Sequence, residues 1–277
     1  MTVQVESALP GSRAQPAAPS SRAAASGWVR WTARLGAIVV ALGIWELIVD
    51  SGAVDRSALS SPADVVRALG ELAGDGVFWS AVGNTVYTWA LALAIALAVG
   101  VPAGIALGSS SIAYRLSRFT IDFLRTIPPV ALIPLALLLY GASIKMAVVL
   151  IVFGTVWPIL LQTMYGVHDV DPVARDVARS YRWRRRDVVG RLIIPSAVPF
   201  IATGIRIGAT MSLLLAVGSE LIGGAPGIGE AISLQQEGGN IPKVYAYIVV
   251  SAVLGVIVNL GLHWLERKVL PWHSAYR

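Results

Sequence analysis

Long apolar runs constrain this chain more than any other feature, because a helix of about 20 apolar residues spans the hydrocarbon of a bilayer. Such runs cover approximately Leu35 to Val49, Thr85 to Leu107, Phe119 to Tyr140, Met146 to Tyr165, Ala197 to Leu221 and Val244 to Leu265. With 56% hydrophobic and only 14% charged residues over 277 positions, the chain has too little polar surface for a soluble domain. Backbone polar groups cannot face hydrocarbon unpaired, so the runs are expected as helices; the short alternating segments of a membrane β-barrel are absent. The first run follows Arg30 and Arg34 in the manner of a secretory signal, but Glu46 interrupts it and no small-x-small cleavage pattern follows at Asp50-Ser51-Gly52. An uncleaved first span is therefore expected. The expected fold class is an all-α membrane protein with six transmembrane helices over residues 28–277. It is preceded by a disordered tail, 1–27, rich in Ala, Pro, Ser and Arg.

Basic residues predict the orientation. Arg13, Arg22, Arg30 and Arg34 precede the first run, Arg115 and Arg118 separate the second from the third, and Arg267, Lys268 and Arg277 follow the sixth. Between the fourth and fifth lie Arg175, Arg179, Arg182, Arg184, Arg185, Arg186 and Arg191. The alternate loops hold only Arg56, Arg67, Lys145 and Lys243. Both termini are expected in the cytoplasm of a bacterium, with the chain multi-pass in its inner (plasma) membrane. The net charge of +6 is thereby a matter of topology, and no nucleic-acid partner is expected. No cysteine is present, and His168, His263 and His273 are far apart, which leaves no disulfide, thiolate site or histidine metal cluster.

Inside the runs, Gly100, Gly104 and Gly108 recur every fourth residue, the spacing of a close helix-packing seam. Arg125-Thr126-Ile127-Pro128-Pro129 and then Pro134 free backbone carbonyls, marking either a pathway wall or a structural kink. Ionisable residues within spans are costly; here they are Glu46, Asp122, Arg125, Arg206 and Glu220. Asp122 and Arg125 share a helical face and can neutralise each other. Arg206 has no partner nearby in sequence. Arg125 and Arg206 fall at comparable depth, forming a positive constriction favouring anions or snorkelling to the interface. Trp157, Trp89, Trp79 and Met211 either line an aromatic-accepting route or pack at interfaces.

The arginine-loaded loop, 168–195, contains Asp176-Val177-Ala178, then Arg182, then Leu192-Ile193-Ile194-Pro195. This resembles the EAA signature of binding-protein-dependent ABC importer permeases, with aspartate for glutamate, Val177 for the first alanine and Arg182 for the glycine. The resemblance extends to Leu59-Ser60-Ser61-Pro62-Ala63-Asp64, to Ile127 through Leu135, to Gly204-Ile205-Arg206-Ile207, and to Ser219-Glu220 with Pro226-Gly227-Ile228-Gly229. Together these are similar to the nitrate, sulfonate and taurine subfamily. The resemblance implies a type I ABC importer permease-like fold in which Val173 to Arg182 forms a cytoplasmic coupling helix docked in a groove of the ATP-binding subunit. Val173, Val177 and Tyr181 then share an apolar face, with Arg175, Arg179 and Arg182 on another. An arginine where glycine would allow a left-handed turn predicts that this helix runs on for a further turn. The later arginines suit anionic lipid headgroups.

By the same resemblance, Asp176, Val177, Ala178 and Pro195 complete the ATPase-facing residues; the proline break, the charges within spans and the aromatic route make Arg125, Pro128, Pro129, Trp157, Arg206, Met211 and Glu220 candidates for the translocation path. The implied partners are two copies of an ATPase that holds ATP and Mg2+, a second permease copy, an extracytoplasmic binding protein and membrane lipid. The binding protein would meet the loops around Ser51 to Asn84 and Gly223 to Lys243. The chain has no G-x-x-x-x-G-K-[ST] loop and is not expected to bind or hydrolyse ATP. The cargo is a small solute: nitrate, a sulfonate or taurine, or a vitamin or heterocycle precursor. A secondary carrier is the alternative; it calls for a carboxylate relay and an internal repeat, and Glu46, Asp122 and Glu220 supply little of the first. A membrane enzyme lacks its motifs: neither H-E-x-x-H nor G-x-S-x-G occurs.

Overall fold

Prolines and glycines set where the helices of this chain begin, break and touch. The computed structural model describes residues 27–55 and 58–269, which form helices and no strand. The tail expected over 1–27 lies outside the described residues except for Gly27, where a helix begins; Arg13, Arg22, Arg56 and Arg277 lie outside them as well. In chain order the helices are α1 (Gly27–Asp50), α2 (Pro62–Ala73), α3 (Gly76–Gly108), α4 (Ser111–Leu124) and, after a 3-10 turn at Pro129–Leu132, α5 (Ile133–Tyr140). They continue with α6 (Ile144–His168), α7 (Pro172–Ser180), α8 (Arg185–Val188), a π-helical turn at Val189–Ile193, α9 (Ile194–Gly223), α10 (Ile228–Glu237) and α11 (Ile241–Val269).

Among the described residues, four helical stretches are long and apolar enough to cross a membrane: α3, α6, Arg186–Glu237 around α9, and α11. A fifth is α4 taken with Pro129–Tyr140, a pair bent by 68°. The run Phe119–Tyr140 is thus two pieces where a single span was expected. Pro128, Pro129 and Pro134 lack the N–H groups a continuous helix requires, so α4 ends at Leu124 and the chain turns before α5 resumes. The second span is longer than its apolar run. It begins at Gly76, where the Asp75 side chain accepts the Val77 N–H at 2.8 Å and caps the helix. Its 33 residues reach about 50 Å, beyond the ~30 Å of hydrocarbon. The first expected run lies in the 24-residue α1.

Helix α6 is the centre of the bundle. Half of its most apolar window is buried, against none of that of α11. The glycine ridge of α3 lies against it: a Cβ on Gly100 would sit 3.0 Å from Ile159, on Gly104 2.6 Å from Thr163, and on Gly108 2.7 Å from the Met164 carbonyl. The positions ascend together, so α3 and α6 run parallel. On the other side Gly204 meets Gln162, Gly208 meets Ile159 and Gly223 meets Met146, a descending register that makes α9 antiparallel to α6. The C-terminal ends of α3 and α6 and the start of α9 therefore share one end of the bundle, with α7 between α6 and α9. At the other end α2, the start of α3, α10 and the start of α11 form an apolar cap of Val65, Leu72, Phe78, Ile228, Ile232 and Tyr247. The cap unites the two loop segments expected to face a binding protein.

Candidate functional site

Helix α7 is short but sharply bounded. Pro172 occupies its first turn, where the missing N–H costs no bond, and the Asp171 carboxylate accepts from the Val173 N–H at 2.8 Å. Ala178 is buried at 3% exposure, and the half-buried Arg175 donates from Nη2 to the Val167 carbonyl at the end of α6. One face of α7 is thereby fixed to the bundle. The opposite face shows Val173 at 68%, Val177 at 49% and Tyr181 at 76% exposure, an apolar strip at four-residue spacing that nothing among the described residues covers. Asp176 and Arg179, both exposed, pair at 3.4 Å. Pro195 lies exposed in the first turn of α9.

The extra helical turn expected from Arg182 does not form. The Trp183 N–H reaches the Ala178 carbonyl at 3.0 Å and the Arg182 N–H reaches that of Arg179 at 2.9 Å, the paired bonds of a Schellman termination. Arg182 itself takes the left-handed conformation, φ 50°, the one non-glycine residue with positive φ among those described. Closing these two bonds, which satisfy carbonyls at the helix end, outweighs the steric cost of about 1–2 kcal/mol for a side chain in that region.

Three of the path candidates come together at the break in the third span. Arg125, Thr126, Gly154, Trp157, Pro158, Leu161 and Met211 line a cavity of about 360 Å³. Trp157 Nε1 is buried there without a hydrogen-bond partner. Arg125 pairs through Nε with Asp122 at 3.1 Å, as their spacing predicted. Pro129 packs where a Cβ on Gly154 would stand, 2.8 Å away, and Pro128 is exposed at the turn. The cavity presents the exposed Arg125 beside an apolar wall that includes Leu161 and Met211.

Arg206 and Glu220 lie elsewhere. Arg206 has a partner that its sequence neighbourhood conceals: Nε donates to Glu266 Oε1 at 3.0 Å and Nη2 to Oε2, binding α9 to α11. His263 Nδ1 is 3.9 Å from the same carboxylate. Arg206 lines a separate groove of about 560 Å³ with Thr210, Met211, Gly255 and Asn259, so the two arginines share Met211 as a common neighbour but not one cavity. Glu220 is wholly enclosed, at 0% exposure. Its Oε2 accepts from the Thr85 hydroxyl at 2.9 Å and the Gly229 N–H at 3.0 Å, while the Ile228 N–H donates to Thr85 Oγ1 at 2.8 Å. Two remote side chains thus cap the start of α10, whose own preceding residue, Gly227, has no side chain to do so. Glu266 and Thr85 had no signal in the sequence, each acting on a residue more than fifty positions away.

An α-helical bundle with several membrane-length apolar helices, a cavity at a broken span and a short helix bearing an exposed apolar strip is the architecture of a polytopic membrane subunit. The family model for the binding-protein-dependent transport system inner membrane component matches residues 100–271, and the chain belongs to that family as a permease subunit. It is 28% identical over 276 residues to the putative aliphatic sulfonates transport permease protein SsuC of Bacillus subtilis, covering 100% of this chain and 99% of that one. It is 29% identical over 248 residues to the taurine transport system permease protein TauC of Escherichia coli, covering 88% and 90%. With the nitrate import permease protein NrtB of Leptolyngbya laminosa it shares 28% over 245 residues, covering 85% and 86%. Its fold is similar to that of a chain in an inward-facing structure of the MetNI methionine ABC transporter, with TM-score 0.61 and 18% identity over 70% of this chain and 96% of that chain.

Proposed function

We propose that this chain is the six-span permease of an ABC importer for a small anionic solute of the sulfonate, taurine or nitrate kind, and that α7 is its coupling helix. The observation that carries the reading is the strip Val173, Val177 and Tyr181, exposed on a helix whose opposite face is fastened by Ala178 and Arg175. An apolar strip backed by a rigid mount suits insertion into a partner's groove. In this reading α1 and the bent α4–α5 unit complete six spans, both termini and α7 are cytoplasmic, and the basic residues around α7 support that orientation. ATP and Mg2+ are held by the partner ATPases, one beneath each of two permease copies. A binding protein delivers cargo at the cap formed by α2 and α10. Coupling requires each ligand to favour one conformation: ATP-driven closure of the ATPases carries the two α7 helices together, and the bundles rock.

The cavity at Arg125, Trp157 and Met211 supports the substrate class. The Arg125 guanidinium offers donors to an oxyanion, while Leu161 and Met211 receive an apolar portion. Purification under mild detergent tests the central claim. The chain is expected to bring an ATPase with it, and Val177→Arg, which plants a charge in the exposed strip, is expected to abolish both co-purification and substrate-stimulated ATP hydrolysis. Transport by the purified chain alone, or full stimulation in Val177→Arg, would refute the assignment.

A further inference from the structure

Arg182 is out of place in two ways. A residue in the left-handed region is favoured as glycine, yet an arginine stands there at φ 50°, at the C-terminal corner of α7 beside the exposed Tyr181 and Trp183. Its side chain makes no ion pair or hydrogen bond among the described residues. The surrounding charge is unbalanced. From Asp169 to Arg191 there are seven arginines and four aspartates, and three of the aspartates are committed locally. Asp171 caps α7, Asp176 holds Arg179 at 3.4 Å and Asp187 holds Arg191 at 3.7 Å. Arg182, Arg184 and Arg186 are left exposed without a carboxylate among the described residues.

The two backbone bonds of the corner hold Arg182 in its left-handed conformation, and an exposed guanidinium with no partner among the described residues, in a stretch with surplus positive charge, points to a contact outside the chain. We infer that Arg182 is a specificity determinant of ATPase docking, meeting a carboxylate on the rim of the groove that receives α7. The left-handed corner sets the direction in which the guanidinium leaves the helix end. Glycine here would end the helix equally well and present no charge. The apolar strip supplies the buried centre of the contact, and Arg182 supplies a charged rim that selects an acidic partner over an ATPase lacking that carboxylate. This inference rests on α7 being the docking helix.

The test uses the full chain in nanodiscs of zwitterionic lipid, titrated with the purified ATPase that co-purifies with it. R182G removes the strain and the charge together. It is expected to raise the melting temperature by about 2 °C while weakening ATPase binding by about tenfold, with a shallower dependence on salt. R182K keeps the charge and the backbone conformation, so it is expected to melt as the parent does and to bind more tightly than R182G. Parental affinity in R182G, equal losses in R182G and R182K, or a loss confined to nanodiscs containing anionic lipid would each overturn the inference, the last by assigning the arginine to headgroups. Val177→Arg separates the two levels. If it abolishes docking while R182G binds as the parent does, only the role of Arg182 fails; if it docks normally, the coupling assignment itself fails.

Discussion

Gly104→Ala tests the seam on which the bundle is built. The added methyl would stand 2.6 Å from Thr163 Cβ, 2.9 Å from its Cγ2 and 2.8 Å from the Leu160 carbonyl oxygen. Carbon atoms prefer about 3.5–4.0 Å, so the shortfall is near 1 Å against α6. The Leu160 oxygen belongs to the backbone and no rotamer change relieves it; α3 and α6 must part. Overpacking of this kind costs about 1–3 kcal/mol, against a gain of up to about 1 kcal/mol from replacing a helical glycine by alanine. With an unyielding backbone atom placing the cost at the upper end of that range, the net loss of about 2 kcal/mol lowers the melting temperature by about 4–8 °C in a chain of this size. Gly83→Ala is the control. Gly83 lies on the same helix with nothing within 4 Å of its prospective Cβ, so only the gain applies and its melting temperature should rise. Thermal unfolding in nanodiscs, followed by far-ultraviolet circular dichroism, reads both. A Gly104→Ala variant melting at or above Gly83→Ala would refute the close approach of α3 and α6.

Glu220→Ala deprives the Gly229 N–H of its buried acceptor, at about 1–3 kcal/mol, and leaves the Thr85 hydroxyl only its longer bond to the Ala81 carbonyl at 3.3 Å. The expected outcome is a lower melting temperature together with faster proteolysis between Gly224 and Gly229; Glu220→Gln, whose amide oxygen still accepts, should lose less, and unchanged cleavage in Glu220→Ala would count against the clamp. For the α9–α11 link, a double-mutant cycle of Arg206→Met and Glu266→Met should give a coupling energy of about 0.5–2 kcal/mol, at the modest end because the arginine is 40% exposed. A coupling within error of zero would show that the pair does not hold the helices together.

Local rules carried the sequence reading where the relevant partners lie within a helical turn or along one face. The four-residue spacing of Gly100, Gly104 and Gly108 announced a seam. The ladder Val173, Val177, Tyr181 announced the exposed strip, and Asp122 and Arg125 announced their ion pair. The prolines from 128 to 134 marked the break, although the 68° bend depends on how α4 and α5 pack and has no local code. Legibility ended where the chain returns on itself. Arg206 had no visible partner because Glu266 lies sixty residues on, and Glu220 resembled a path residue because its acceptor role depends on Thr85 from α3 and on the backbone of a turn nine residues ahead. Residues 76–84 include Asn84, Gly83 and Ser80 and suggested a loop; packing of Phe78 and Ala81 against the rest of the bundle, with the Asp75 cap, made them helix. At Arg182 steric preference was read correctly, but the two backbone bonds that close the corner prevailed.

The bonds that join Thr85, Glu220, Ile228 and Gly229 have a bearing on how such a subunit can admit a solute. They rivet the N-terminal stretch of α3 to the end of α9 and to the turn entering α10, in a place sealed from solvent. Prising those two helices apart at that end would break the Thr85–Glu220 bond and strip the Ile228 N–H of its acceptor. The bundle is therefore expected to swing as one stiff wedge, and the doorway to open along its flank, where another molecule forms the facing jamb.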